Sequence, residues 1–318
     1  MLISSAAFAQ AETGNQNGGK VEPPDVYKAV MDLQADLELI RLEMGRPKEN
    51  RKEISVTGAE PYAVYFQALT LFDKSGRLKF ENTREIEREA PPRPKNREIR
   101  PNDVRQLINL ASVQLRRVKV KLNINETESP AQRIETKTLS DVFAAIVQAN
   151  RQLNLMLSEP YAPSDVFEQV TFGISYASSL LAHFPDATRI PAEPAYERRK
   201  TPADVDGRLR ECLQEIEAIA AASNLEMLEL GEPTVDELAI MSPSDVYDLA
   251  ALAVAELAHI QLQLPNAREP RQSYGVGRKM PSDVYQRAGI LLAQLKELRK
   301  RVESTPNWLK ANGSPPAS

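Results

Sequence analysis

The chain has 318 residues, 42% of them hydrophobic and only one of them cysteine. This length suffices for about two domains, and a single cysteine excludes a disulfide framework or a multi-cysteine metal cluster. Forty basic and forty-four acidic residues leave a net charge of −4, so the overall charge favours neither nucleic acid nor an anionic membrane. Thirteen glycines against twenty-three prolines also argue against an enzyme built on glycine-rich phosphate loops.

Residues 1–20 are typical of the end of a secretory signal followed by a flexible leader. Ala7-Phe8-Ala9 forms the small-x-small pattern of a signal peptidase site, although the first cation is Lys20 and a basic opening segment is missing. The pattern therefore predicts a truncated signal and a periplasmic or secreted protein. The alternative is a cytoplasmic protein with a disordered N-terminus.

One phrase, proline-x-aspartate-valine-aromatic, recurs along the chain. Full copies occupy residues 23–27, 163–167, 243–247 and 281–285, and four weaker copies begin at positions 61, 101, 139 and 202. In chain order, each of the first four of these eight copies lies 140 to 142 residues before its counterpart among the last four. We therefore predict two tandem copies of a four-helix unit.

Each copy of the phrase predicts the start of a helix. Proline is favoured at the first helical position, and the aspartate then lies in the first turn, near the positive end of the helix dipole. We expect these aspartates to cap helices rather than to bind a cation. They are Asp25, Asp103, Asp141, Asp165, Asp204, Asp245 and Asp283.

The apolar periodicity after each aspartate predicts the packing. Apolar or small residues recur at +1, +5, +8, +12 and +15, which is a heptad seam. The sequence therefore predicts an all-α protein of two tandem antiparallel four-helix bundles, at residues 21–158 and 159–303, followed by a C-terminal tail at 304–318. A continuous α-solenoid of helix pairs is the alternative.

The connectors between the predicted helices are long. Loops of more than roughly 12 residues are uncommon in compact domains and are often functional. With antiparallel helices, these connectors would gather at one end of the protein and form a surface for a partner. The candidate contact residues in them are Arg189, Arg198, Arg199, Arg268 and Arg278.

The largest local charge excess lies at residues 93–121, which hold nine basic and two acidic residues. Arg105, Arg116 and Lys119 are predicted to form a stripe on the third helix. One interpretation is a solvated face that acidic neighbours balance. The other is a surface for an anionic partner, such as a cell-wall polymer, lipid head groups or an acidic protein.

Few residues suggest catalysis or metal binding. Cys212 lies in the seam, which predicts a buried and inert thiol. Glu256 and His259 have the spacing of half a di-metal site, but the sequence holds no second copy of this pattern and His183 has no such partner. We therefore expect no enzyme activity and no cofactor.

These observations favour an exported, non-catalytic helical-repeat protein that acts as an interaction scaffold or adaptor. Its partner is expected to be a protein, bound through the long loops and the helix flanks, and neither nucleic acid binding nor a transmembrane segment is expected. The alternative is a small-ligand binding or sensory bundle, because Gly173, Gly289 and the alanines at positions 250, 251, 253, 255 and 258 leave room between the predicted helices.

Overall fold

The computed structural model describes residues 20–86, 99–127, 130–265, 269–271 and 277–311. The described residues are nearly all helical, which confirms the all-α prediction. The helices are α1 Pro23–Glu43, α2 Pro61–Thr83, α3 Pro101–Lys121, α4 Leu139–Met156, α5 Pro163–Leu181, α6 Pro202–Ala222, α7 Val235–Ala239, α8 Pro243–Leu262, α9 Pro281–Ser304 and α10 Trp308–Ala311. Two short strands, β1 Val56–Thr57 and β2 Glu229–Leu230, pair antiparallel.

The repeated phrase marks the start of each long helix. Proline occupies the first turn of α1, α2, α3, α5, α6, α8 and α9. All seven aspartates accept a hydrogen bond of 2.6–3.0 Å from the backbone N–H three residues before them. This contact fixes the direction in which the chain enters the helix.

The eight long helices form two closed rings of four. In the first bundle, α1 and α2 each contact both α3 and α4; in the second, α5 and α6 each contact both α8 and α9. A separate cluster of buried apolar side chains fills each bundle. The closed rings differ from the solenoid alternative, and the two bundles share one arrangement. Duplication as the origin of that likeness stays a prediction.

Within each bundle the helices run parallel, so the prediction of antiparallel bundles is wrong. The first prolines of α5, α6, α8 and α9 line one opening of about 10 Å³, which shows that the four N-termini meet at one end. In the first bundle, Arg133 before α4 pairs with Asp25 at the start of α1 at 2.8 Å. Each connector within a bundle is long enough to return along a helix of about 30 Å, which needs roughly ten extended residues.

The copies of the phrase hold the parallel N-termini together. In the second bundle, each of three serines at the second position of a helix accepts a hydrogen bond of 3.0–3.1 Å through its hydroxyl oxygen. The donor is the backbone N–H of the residue that precedes the N-cap of a neighbouring helix. The pairs are Tyr161 with Ser244, Lys200 with Ser282 and Lys279 with Ser164. Lysine side chains also cover neighbouring rings, such as Lys200 over Tyr285 at 4.1 Å. The first-turn aspartates offset the repulsion between parallel helix dipoles.

The connector between α5 and α6 is described throughout and follows the side of its bundle, which corrects the expectation that such connectors gather at one end. Between α5 and α6, the carbonyl groups of Arg189 and Pro194 accept hydrogen bonds from Gln294 and Gln286 of α9, at 2.6 and 2.8 Å. This connector therefore passes from the C-terminal part of α9 to its N-terminal part. Its length serves the parallel topology.

The two bundles pack against each other mainly through α2 and α8, which run antiparallel. Lys74, late in α2, pairs with Asp248 early in α8, whereas Tyr62 at the start of α2 contacts Glu256 late in α8. The end of the first bundle therefore lies beside the start of the second, which explains the short link at residues 157–162.

The two chain ends differ in what the structure describes. Trp308 of α10 is buried and lies 5.4 Å from the ring of Phe184. The signal-like residues 1–19 and the end of the tail at 312–318 lie outside the described residues. Among the helices that are described, none combines the length and the apolar character that crossing a membrane requires.

Candidate functional site

The outward side of α3 combines apolar and basic side chains. The opposite side packs into the first bundle through Val104, Ile108, Ala111, Leu115 and Val118. On the outward side, Val113 is 42% exposed and Val120 is 76% exposed. We define the α3 surface as the exposed residues Gln106, Asn109, Val113, Arg116, Arg117, Val120 and Lys121.

A groove of about 490 Å³ runs between the α3 surface and the end of α2. Its lining includes Val113, Arg116, Val120 and Lys121 from α3 and Glu85 after α2. Arg117 pairs with Glu85 at 2.9 Å, but both side chains are more than half exposed, so water screens this pair. Three basic residues, Arg116, Arg117 and Lys121, line this groove against one acidic residue, Glu85, which makes it electropositive.

The predicted stripe is only partly at this surface. Arg116 is exposed and Arg105 is half-buried. Lys119 is buried, and its ammonium group donates to Asp36 of α1 at 2.6 Å and to the carbonyl group of Glu126 at 2.9 Å. Lys119 therefore joins α3 to α1, and its placement on an exposed stripe was wrong. The basic residues 93–97 lie outside the described residues.

The predicted loop residues belong to the second bundle. Arg189, Arg198, Arg199 and Arg278 are exposed, and Arg268 lies outside the described residues. Arg189 donates to the carbonyl group of Ser178 on α5 at 3.2 Å. α3 belongs to the first bundle, so these arginines and Arg116 do not share a helix or a connector.

The counterpart of α3 in the second bundle is α8, and its outward side is covered. α3 lies between α1 and α2 in its ring, as α8 lies between α5 and α6. α8 buries fourteen residues, whereas α3 buries eight. The additional burial comes from α2, which packs on the outward side of α8.

The covered side of α8 holds buried ion pairs. Lys74 is fully buried and donates to both oxygens of Asp248, at 2.6 and 2.8 Å. Burial lowers the pKa of Lys74 and raises that of Asp248, because the interior disfavours both charged forms. Arg51 links Glu49 and Asp245 at 2.7 and 3.0 Å. The sequence gives no local signal for the contacts of Lys74 with Asp248 and of Arg51 with Asp245, since these partners are far apart in the chain.

A pocket of about 280 Å³ lies at the joint between the bundles. Its walls include Arg51, Arg151 and Arg210 together with apolar residues of α4 and α8. Arg210 pairs with Asp206 at 2.8 Å, and Arg151 lies 3.6 Å from Glu237. Burial lowers the pKa of Arg151, and the nearby Arg51 adds to this effect.

Glu256 and His259 meet Tyr62 rather than a second metal-binding motif. The Tyr62 hydroxyl donates to Glu256 at 2.5 Å, and the Tyr62 ring stacks on His259 at 3.7 Å. Burial raises the pKa of Glu256 to about 7 and lowers that of His259 to about 4. Within the described residues, no cluster of three or more metal-binding side chains is found.

Cys212 is fully buried, and burial raises the pKa of its thiol. A buried thiol that resists ionisation is a poor nucleophile.

Comparison with protein families, curated proteins and solved structures found no match to this chain.

Proposed function

We propose that the protein is a non-catalytic helical scaffold that binds an acidic protein surface through the α3 surface. The observation that carries this proposal is the exposure of Val113 and Val120 beside Arg116, Arg117 and Lys121. The corresponding side of α8 is occupied by another helix of the same chain. The proposal therefore assigns to α3 the same kind of contact, made with a partner.

The composition of the α3 surface supports protein binding. Interfaces commonly have an apolar centre inside a polar rim and are enriched in arginine. Val113 and Val120 lie two helical turns apart, about 10 Å, so one partner helix would cover both. Arg116, Arg117 and Lys121 flank them and favour an acidic partner.

Site-specific crosslinking in the source cells tests this proposal. A photoreactive side chain replaces Val120, and a matched control variant carries it at Leu42 of α1, which is 59% exposed. We expect a protein adduct at position 120 that is absent at position 42 and is lost when Arg116→Glu and Arg117→Glu are added. Equal labelling at both positions, or none at position 120, would contradict the proposal.

We also propose that the protein is exported. The support is the Ala7-Phe8-Ala9 pattern in the sequence. Cell fractionation and N-terminal sequencing test this point. A mature chain that begins after Ala9 and is found outside the cytoplasm is the expected result, and an uncleaved cytoplasmic chain would contradict export.

The pocket between the bundles favours a second candidate, the binding of a small ligand. The room expected at the two glycines is occupied, since a Cβ atom at Gly173 would meet Leu291 at 3.3 Å and one at Gly289 would meet Pro194 of the α5–α6 connector at 2.8 Å. The pocket at the joint is open, and its lining holds three guanidinium groups that lie within 4 Å of carboxylates of the same lining, Asp245, Glu237 and Asp206. A thermal-shift screen with a library of small ligands tests this candidate. A stabilising hit that Arg151→Gln abolishes supports it, and the absence of any hit argues against it.

A further inference from the structure

We propose that the α3 surface binds the outward side of α6 in a second copy of this chain. This inference rests on the proposed function and names the partner. We define the α6 surface as Gly207, Glu211, Gln214, Glu217, Ala218 and Ala221, all of which are exposed except the half-buried Ala218.

The first step is the equivalence of positions in the two bundles. α6 contacts α8 and α9 as α2 contacts α3 and α4, so α6 is the counterpart of α2, and α3 is the counterpart of α8. The two bundles of one chain join through α2 and α8. Their counterparts are α6 and α3, and within the described part of the chain no other helix packs on the outward side of either. A second copy placed by the same rule would bring α6 onto α3.

The second step is charge. α6 carries five acidic and two basic residues, whereas α3 carries five basic and one acidic residue. Asp206 and Glu215 lie within 4 Å of arginines of their own bundle, whereas Glu211 and Glu217 are exposed on the α6 surface. Arg116, Arg117 and Lys121 would face these two carboxylates. Opposite charges also meet where α2 and α8 join, in the pair of Lys74 and Asp248.

The third step is shape. Val113 and Val120 project from α3 at a spacing of seven residues. The α6 surface has a small residue towards each end, Gly207 and Ala221, and a Cβ atom at Gly207 would meet nothing within 4 Å. The longer side chain of Gln214 lies between them at the same seven-residue spacing. Projecting valines on one helix and small side chains on the other permit close helix packing.

The resulting contact joins two different surfaces and is therefore heterologous. Each bound copy leaves one free α3 surface and one free α6 surface, so the assembly grows beyond a dimer into a ring or a filament. Because the contact includes exposed charges, salt weakens it.

The test uses sedimentation velocity of the full chain at increasing concentration, in low and high salt. One variant carries Arg116→Glu and Arg117→Glu, and a second carries Glu211→Lys and Glu217→Lys. A control variant carries Lys300→Glu on α9, where the side chain is exposed. Circular dichroism and thermal unfolding check that all variants fold.

We expect the wild-type chain and the control to form species larger than dimers in low salt, and each double variant alone to be monomeric. Mixing the two double variants should restore species larger than dimers, because the two native surfaces bind each other and the two charge-reversed surfaces also bind each other. A chain carrying all four substitutions should assemble again. In a mixture with the wild-type chain, the contact that uses a variant's altered surface should have a dissociation constant at least ~10-fold higher than the contact between two wild-type chains.

Three results would overturn the inference: a monomer at every concentration, a dimer that never grows, or assembly that persists in either double variant. Crosslinking at position 120 separates this inference from the proposed function. An adduct of twice the chain mass supports both, whereas an adduct with a different acidic protein supports the scaffold and overturns the second copy.

Discussion

α3 and α8 occupy the same place in their bundles, yet one is open and the other is covered. Both have apolar residues at the same inward seam positions, and these residues build both rings. The difference lies in their outward positions. α8 presents Asp248, Glu256 and His259 to α2, while α3 presents Arg116 and Arg117 at its own outward side. The comparison shows that outward residues decide which helix joins bundles.

Breaking the buried ion pair on the covered side should have the largest effect. Lys74→Met leaves the carboxylate of Asp248 buried without its cation, so we expect the free energy of unfolding in urea to fall by about 3–5 kcal/mol. Adding Asp248→Leu should restore most of the loss, because well-packed apolar residues replace buried pairs at little cost.

A matched control for Lys74→Met is Lys28→Met on α1. Lys28 pairs with Asp32 at 2.7 Å, and its side chain is 35% exposed, so its loss should cost less than about 1 kcal/mol. An equal loss of stability in the two variants would show that the covered side of α8 does not depend on this pair.

The pH dependence of stability tests the same covered side with a smaller effect. The pKa of Glu256 is raised from 4.5 to about 7, so its contribution is complete below about pH 4.5 and is lost as the pH rises through 7. The pKa of His259 is lowered from 6.5 to about 4, so stability falls as the pH falls from 6.5 towards 4. Between pH 4.5 and 6.5 the two effects oppose each other.

Single variants should separate the two effects. Relative to wild type, the stability of Glu256→Gln should rise with pH across this window, and that of His259→Phe should fall, each by about 2 kcal/mol. Urea unfolding at several pH values measures both slopes. Slopes of the same sign would mean that burial does not set these two pKa values. α3 has Gln114 and Arg117 at the corresponding positions and has no such pair.

Helix starts were predictable from the sequence because caps and seams are local. The first-turn aspartates and the inward positions of α3 needed only residues within a few turns. Helix direction was not predictable from the seam, since a heptad stripe packs equally well against parallel and antiparallel neighbours. Connector length was the neglected signal, because antiparallel neighbours need only about 2–8 residues between them.

The candidate site likewise contains residues whose position local periodicity predicts and residues whose position it does not. The outward place of Arg116 follows from helical periodicity alone. The burial of Lys119 depends on Asp36 in another helix, so local periodicity misplaced it. Val113 and Val120 were missed because the seam counts inward residues only, although their outward position follows from the same periodicity.

The serine contacts that hold the parallel N-termini predict an intermediate effect. Ser282→Ala removes the acceptor of the Lys200 N–H, now 3.1 Å away, and should lower the free energy of unfolding by about 1 kcal/mol. Hydrogen exchange at the Lys200 amide should accelerate. Ser304→Ala, at an exposed serine of α9, is the control and should cost less than about 0.5 kcal/mol. No change at the Lys200 amide would argue against this role of the serine.

The smallest effect on stability is expected on the open side, at Arg117. Its ion pair with Glu85 is more than half exposed, so Arg117→Ala should change the free energy of unfolding by at most about 0.5 kcal/mol. Urea unfolding measures this change, and a loss above 1 kcal/mol would mean that α3 needs Arg117 for its own bundle. Because folding does not require the side chain of Arg117, and this side chain lies beside two exposed valines, Arg117 is available for binding a partner. Lys74, at the covered joint, has no such freedom, because the same contact that joins the bundles also stabilises them.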